Sequence, residues 1–141
     1  MIRMKIYFCG AITGGRQDQP VYEKLIGHLK GYGPVLTEHV GDPAITIEGD
    51  EGISDPEIYE RDLAWLAEAE AVVAEVTVPS HGVGVELAHA ELLGKPILCL
   101  FREQPNRPVS PFISGNKYVQ FERYRDLSEA YEQIDRFLRQ L

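Results

Sequence analysis

A run of mostly apolar residues, Ala71-Val72-Val73-Ala74-Glu75-Val76, gives way to Thr77-Val78-Pro79-Ser80-His81-Gly82-Val83-Gly84-Val85-Glu86 and then to a helix-like stretch ending at Leu93. A buried strand, a glycine-bearing loop and a helix in such quick succession leave few folds open. In open α/β sheets, junctions of this kind form the crevice in which ligands bind. Glycine lets backbone approach a ligand closely, and a helix start attracts anions. With the helix beginning near Val83, Glu86 shares a stripe with Val83, Leu87, Ala90 and Leu93. A carboxylate among core-facing residues at a ligand mouth points to chemistry. The plainer alternative is a first-turn acid favoured by the helix dipole.

The same alternation runs along the whole chain. Met4 to Cys9 reads as a first strand, followed by the glycine-rich loop Gly10-Ala11-Ile12-Thr13-Gly14-Gly15-Arg16. A first helix, about Gln19 to Lys30, carries Val21, Leu25, Ile26 and Leu29 on one face and ends at Gly31 and Gly33. Pro34 to Thr37 reads as a second strand, and Gly41 to Gly52 as an aperiodic loop. Ser54-Asp55-Pro56-Glu57 is a capping-box start for a second helix reaching Glu70. Ala71 to Val76 is the third strand, Val83 to Leu93 the third helix and Pro96 to Leu100 the fourth strand. The long loop Arg102 to Asn116 leads to a fifth strand, Tyr118 to Phe121, and a last helix, Leu127 to Leu138. This pattern predicts a doubly wound, flavodoxin-like α/β fold with a five-stranded parallel sheet in the order 2-1-3-4-5. The loops after strands one and three then meet across one crevice.

With 141 residues, a single domain spanning 1–141 suffices for a full core. A net charge of −8 argues against nucleic acid or an anionic membrane surface as partner. No apolar run approaches the roughly 20 residues of a membrane span, and Met1 to Phe8 is too short for a signal peptide. Cys9 and Cys99 form neither a disulfide framework nor a metal cluster, which fits a cytoplasmic protein. In the expected strand order one strand separates them, so both read as buried thiols.

Asp62 is the second carboxylate of interest. It interrupts the stripe Ile58, Trp65, Leu66 and Ala69, where a surface aspartate does not belong. An apolar setting favours the protonated form of a carboxyl, which suits a general acid; the alternative is a cap for a neighbouring loop. Ser80, Gly82 and Gly84 offer a hydroxyl and backbone N–H groups to a phosphate. Arg16 is either a phosphate contact or a solvated charge, and Tyr7 either a crevice residue or a core aromatic. His39 and His81 flank the crevice. Glu75 is a rival carboxylate, better read as a partner for a nearby donor. Glu86 and His89 form one E-x-x-H pair, too few for a carboxylate-bridged metal site. Neither the dinucleotide nor the Walker glycine pattern is present, and no metal or cofactor is expected.

Tyr7-Phe8-Cys9-Gly10, Gly14-Gly15-Arg16, Leu36-Thr37-Glu38-His39-Val40, Asp62-Leu63-x-Trp65-Leu66, Val72 to Thr77, Gly82-Val83-Gly84-x-Glu86-Leu87 and Ile97 to Arg102 together carry a resemblance. In this order and spacing, from Lys5 to Phe121, the chain resembles the 2′-deoxynucleoside 5′-phosphate N-hydrolases of the nucleoside 2-deoxyribosyltransferase superfamily. The resemblance implies cleavage of the N-glycosidic bond of a deoxynucleoside monophosphate to free base and 2-deoxyribose 5-phosphate, through a covalent glutamate intermediate. It implies a homodimer with active sites near the subunit interface. It places the nucleophile on Glu86, the acid on Asp62 and the tyrosine that orients the glutamate on Tyr7. The substrate and its phosphate fall to Gly10, Ile12, Thr13, Gly14, Gly15, Arg16, His39, Ser80 and Gly82, with Ser110 and Phe112 on the loop lent by the neighbouring subunit. Where the family loop reads G-S-I-R-G-G-R, this chain has Ala11 and Thr13, which removes one hydroxyl and one cation from the phosphate side.

Two other readings stand beside hydrolysis. A nucleoside 2-deoxyribosyltransferase would pass the sugar to a second base. A non-catalytic nucleotide sensor would need no carboxylate in an apolar stripe.

Overall fold

Ile6-Tyr7-Phe8-Cys9 carries an apolar side chain at every position, and strands covered on both faces read this way. In the computed structural model, which describes Arg3–Leu141, these residues form β1 (Ile6–Cys9), buried throughout. Met1 and Ile2, the start of the segment judged too short for a signal peptide, lie outside the described residues. β1 pairs in parallel with β2 (Ala71–Glu75), β2 with β3 (Ile97–Arg102), and β3 with β4 (Gln120–Tyr124). Ile6, Phe8, Val73, Leu98 and Leu100 face α1 (Gln19–Leu29) and α5 (Leu127–Arg139). Tyr7, Cys9, Val72, Ala74 and Cys99 face α2 (Asp55–Glu68) and α3 (His81–Leu92). The period-two alternation of the strands thus builds two cores on opposite faces of one sheet. Among the described residues, no helix is long and apolar enough to cross a membrane.

The expectation of five strands in the order 2-1-3-4-5 is corrected. Among the described residues the sheet has four, ordered β1-β2-β3-β4, and the expected second strand, Pro34 to Thr37, contributes only a single parallel bridge between Ile6 and Val35. Its residues still run along the outer edge of β1: Ile6 N–H donates to the Pro34 carbonyl at 2.9 Å and Leu36 N–H to the Ile6 carbonyl at 2.9 Å. Beyond that, a side chain replaces the ladder. The Thr37 hydroxyl accepts from Phe8 N–H at 2.8 Å and donates to the Phe8 carbonyl at 2.7 Å. Pro34 has no N–H to give, and a residue that pairs through its side chain does not extend a strand. The chain then turns into a 3₁₀ segment, Glu38–Gly41.

Other boundaries move for local reasons. Asn116 accepts from Tyr118 N–H at 2.9 Å and holds Tyr118 in a turn, so β4 begins at Gln120 and continues through charged residues to Tyr124. The loop Arg102 to Asn116 contains a short helix, α4 (Pro111–Ser114). Ser54 and Glu57 form the reciprocal capping box that opens α2. Cys9 and Cys99 each pair in register with Ala74, on opposite sides of it; both are buried and free.

Candidate active site

The loops that follow β1 and β2 touch. A Cβ added to Gly14 would lie 2.6 Å from the Pro79 carbonyl oxygen, so only glycine permits this approach. Between the loops, α2 and α3 lies a cavity of about 590 Å³ at the carboxyl ends of the strands, a size ordinary for a small-molecule site.

Ser80 opens α3 as its N-cap, its hydroxyl oxygen accepting from Val83 N–H at 3.2 Å. The accepted bond leaves the hydroxyl proton and the first N–H groups of the helix for a ligand. Val83, Leu87 and Ala90 bury the inner face of the helix, and Glu86 between them lines the cavity. From β1, the fully buried Tyr7 donates its hydroxyl to the Glu86 carboxylate. Burial in this apolar wall pushes Glu86 from 4.5 up to about 7; the Asp62 charge adds to the rise and the Tyr7 hydrogen bond opposes it. Burial, with the Glu86 charge beside it, holds the Tyr7 hydroxyl firmly protonated.

Asp62 shares the cavity but is more open than its helical stripe implies. Its side chain is 27% exposed, and Arg61 Nε donates to its Oδ1 at 3.0 Å. Arg61 Nη2 also reaches Asp50 Oδ2 at 2.8 Å, and the guanidinium lies 4.6 Å from the Trp65 ring centre. His39 stands 3.5 Å from the same Asp50 oxygen and is shifted down, because burial outweighs the nearby carboxylate.

Of the residues expected at the site, Tyr7, Gly10, Ile12, Thr13, His39, Asp62, Ser80, Gly82 and Glu86 line this cavity. Gly14, Gly15, Arg16, Ser110 and Phe112 do not. Gly15 closes a turn onto the Ile12 carbonyl. The Arg16 guanidinium donates to three backbone carbonyls, those of Ala11, Asp42 and Ile45, and fastens the Gly41–Gly52 loop to the glycine loop. Ser110 caps α4, and Phe112 beside it is 92% exposed. Glu75 is wholly internal, accepting from Thr77 N–H at 2.7 Å, the Thr77 hydroxyl at 2.9 Å and the Tyr124 hydroxyl. His89 meets the edge of Tyr59, and among the described residues no group of three or more His, Cys, Asp or Glu side chains comes together. Asp50 and Arg61 are among the cavity residues that sequence reasoning missed. For Asp50 the length of the Gly41–Gly52 loop was the available signal, since long loops in compact domains carry function.

Fold and site define an α/β protein with a carboxylate-bearing crevice at the carboxyl ends of a parallel sheet. The chain belongs to the nucleoside 2-deoxyribosyltransferase family, whose model matches residues 6–127. It is 53% identical to the 5-hydroxymethyl-dUMP N-hydrolase of Mus musculus over 116 residues, 82% of this chain and 67% of that one. It is 41% identical to the protein of the same name from Esox lucius over 128 residues, 89% of this chain and 88% of that one. The structure of Clostridium botulinum CMP N-glycosidase, BcmB, superposes with a TM-score of 0.67 at 24% identity, covering 94% of this chain and 98% of that one. At that identity the likeness is one of fold.

Proposed function

We propose that this chain hydrolyses the N-glycosidic bond of 2′-deoxynucleoside 5′-monophosphates, releasing a free base and 2-deoxyribose 5-phosphate. The observation that carries the reading is a half-buried glutamate, held by a tyrosine hydroxyl, in one cavity with a second carboxyl group. Two carboxyl groups are what glycosidic cleavage through a covalent intermediate requires. Glu86 attacks the anomeric carbon as its bond to the base nitrogen breaks, and Asp62 gives the departing base its proton. Water then attacks the glycosyl ester, Asp62 takes up the proton and Glu86 is freed. Tyr7 holds one Glu86 oxygen in place and limits its basicity. The missing 2′-hydroxyl weakens the deoxyribosyl bond and eases oxocarbenium character.

Thr13, Ser80 and the Gly82 backbone form the phosphate end of the cavity, with Gly10 and Ile12 beside the sugar. Arg16 acts on the phosphate indirectly, by shaping the loop. The active unit is a homodimer in which Ser110 reaches the partner's phosphate site. Support comes from Ser110 and Phe112, which lie outside this chain's own cavity, and from the exposure of Phe112 beside a groove lined by Gly84, Leu87 and Ile113.

The test is a panel of ribo- and deoxynucleoside monophosphates, including dCMP, dGMP and 5-hydroxymethyl-dUMP, assayed for free base with and without an acceptor base. Glu86→Ala and Glu86→Gln are expected to abolish base release. Turnover by either within about tenfold of the parent refutes the nucleophile, since its loss should cost several kcal/mol of barrier. A new nucleoside formed from the acceptor base identifies a transferase instead.

A further inference from the structure

Arg61 occupies an unusual position for a residue next to a general acid. Both of its close contacts with Asp62, from Nε and from Nη2, fall on Oδ1 at 3.0 Å. Among the described residues Asp62 Oδ2 has no hydrogen-bond partner, while Asp62 lines the cavity. An arginine beside a carboxyl normally favours its ionised form. Here the guanidinium is shared: Nη2 also binds Asp50 Oδ2 at 2.8 Å, and the Trp65 face holds it from the side. Asp50 arrives on the Gly41–Gly52 loop and itself lines the cavity.

We propose that Arg61 and Asp50 are positioning residues for Asp62, acting as a pair. Arg61 grips Oδ1, so the proton sits on Oδ2, the oxygen left for the base. Asp50 anchors the other side of the guanidinium, so the direction from which Arg61 meets Oδ1 is fixed. Without Asp50, the guanidinium loses its second anchor and no longer fixes Oδ1 in one orientation. The Gly41–Gly52 loop, which Arg16 fastens through the Asp42 and Ile45 carbonyls, is therefore part of the acid machinery and not only a wall. This inference rests on Asp62 being the acid.

The experiment measures kcat and KM for Asp62→Asn, Asp50→Asn, Arg61→Gln and the Asp50→Asn/Arg61→Gln double variant on two substrates. One is a natural purine deoxynucleotide. The other is its N7-methylated analogue, whose cationic base departs without needing a proton. Asp50→Asn and Arg61→Gln are each expected to lower kcat on the natural nucleotide by about 10- to 100-fold, within what a general acid contributes. The double variant should fall no further than the worse single, because the pair acts as one unit. On the methylated substrate all four should stay within about threefold of the parent, which also reports an intact fold. If Asp62→Asn slows both substrates equally, the acid reading itself fails. If Asp62→Asn discriminates while Arg61→Gln and Asp50→Asn do not, or if the two losses multiply, the positioning role is overturned.

Discussion

Glu86 should weaken the fold that carries it. Its carboxyl is pushed from 4.5 up to about 7 by burial, so the folded state holds the Glu86 proton more tightly than the unfolded chain. For a raised group the associated stability is fully present below the unfolded value and is lost as pH rises through the folded one. Between pH 4.5 and about 7 the protein therefore surrenders stability, and above pH 7 the whole penalty of a buried carboxylate is in force. The rise corresponds to about 3 kcal/mol, of which the weaker Tyr7 bond to an amide takes back a part. Glu86→Gln, which cannot ionise, should melt about 5–10 °C above the parent at pH 8. At pH 4.5 to 5 the two should melt nearly together. Scanning calorimetry across this range reads the difference directly. An equal offset at both pH values, or none at pH 8, would falsify the assignment of Glu86 as a desolvated acid.

Deoxynucleoside monophosphates should be cleaved faster than ribonucleotides and than unphosphorylated deoxynucleosides; equal kcat/KM for deoxycytidine and dCMP would show that Thr13, Ser80 and Gly82 do not meet a phosphate. A heterodimer of Ser110→Ala with Glu86→Ala should regain one intact site if Ser110 acts on the partner. Activity no higher than the two parent homodimers give, with subunit exchange verified, rules that out. Thr37→Val should cost about 1–3 kcal/mol, because it strands the Phe8 N–H and carbonyl at the sheet edge; denaturant unfolding with an unchanged midpoint would show that water replaces the hydroxyl there.

The parts legible in the sequence are those set by local periodicity. Apolar runs placed four of the strands, and the ends of those strands carried Tyr7 and the Ser80–Glu86 loop into one crevice. The second strand misled because Val35 and Leu36 are good strand residues, whereas the deciding contact is Thr37 with Phe8, 29 residues away. β4 was placed short because Glu122 and Arg123 hide it; Arg123 lies over the rings of Phe101 and Phe121 and covers apolar surface with its stem. Arg16 looks like a phosphate ligand by spacing alone. Its three carbonyl partners include two from a loop roughly thirty residues on, which no spacing reveals. Asp50 was hidden for the same reason, lying in a stretch with no period at all.

The Thr37 side chain also settles which way this sheet can grow. With Pro34, Leu36 and Thr37 occupying the hydrogen-bonding groups of Ile6 and Phe8, the β1 border offers a newcomer no template. Among the described residues only β4 presents a second border, and its Glu122 and Arg123 make that border charged. A sheet that can accept a neighbour on one side alone can form pairs but not fibres. The threonine that costs the fold its fifth strand therefore caps the molecule against runaway polymerisation.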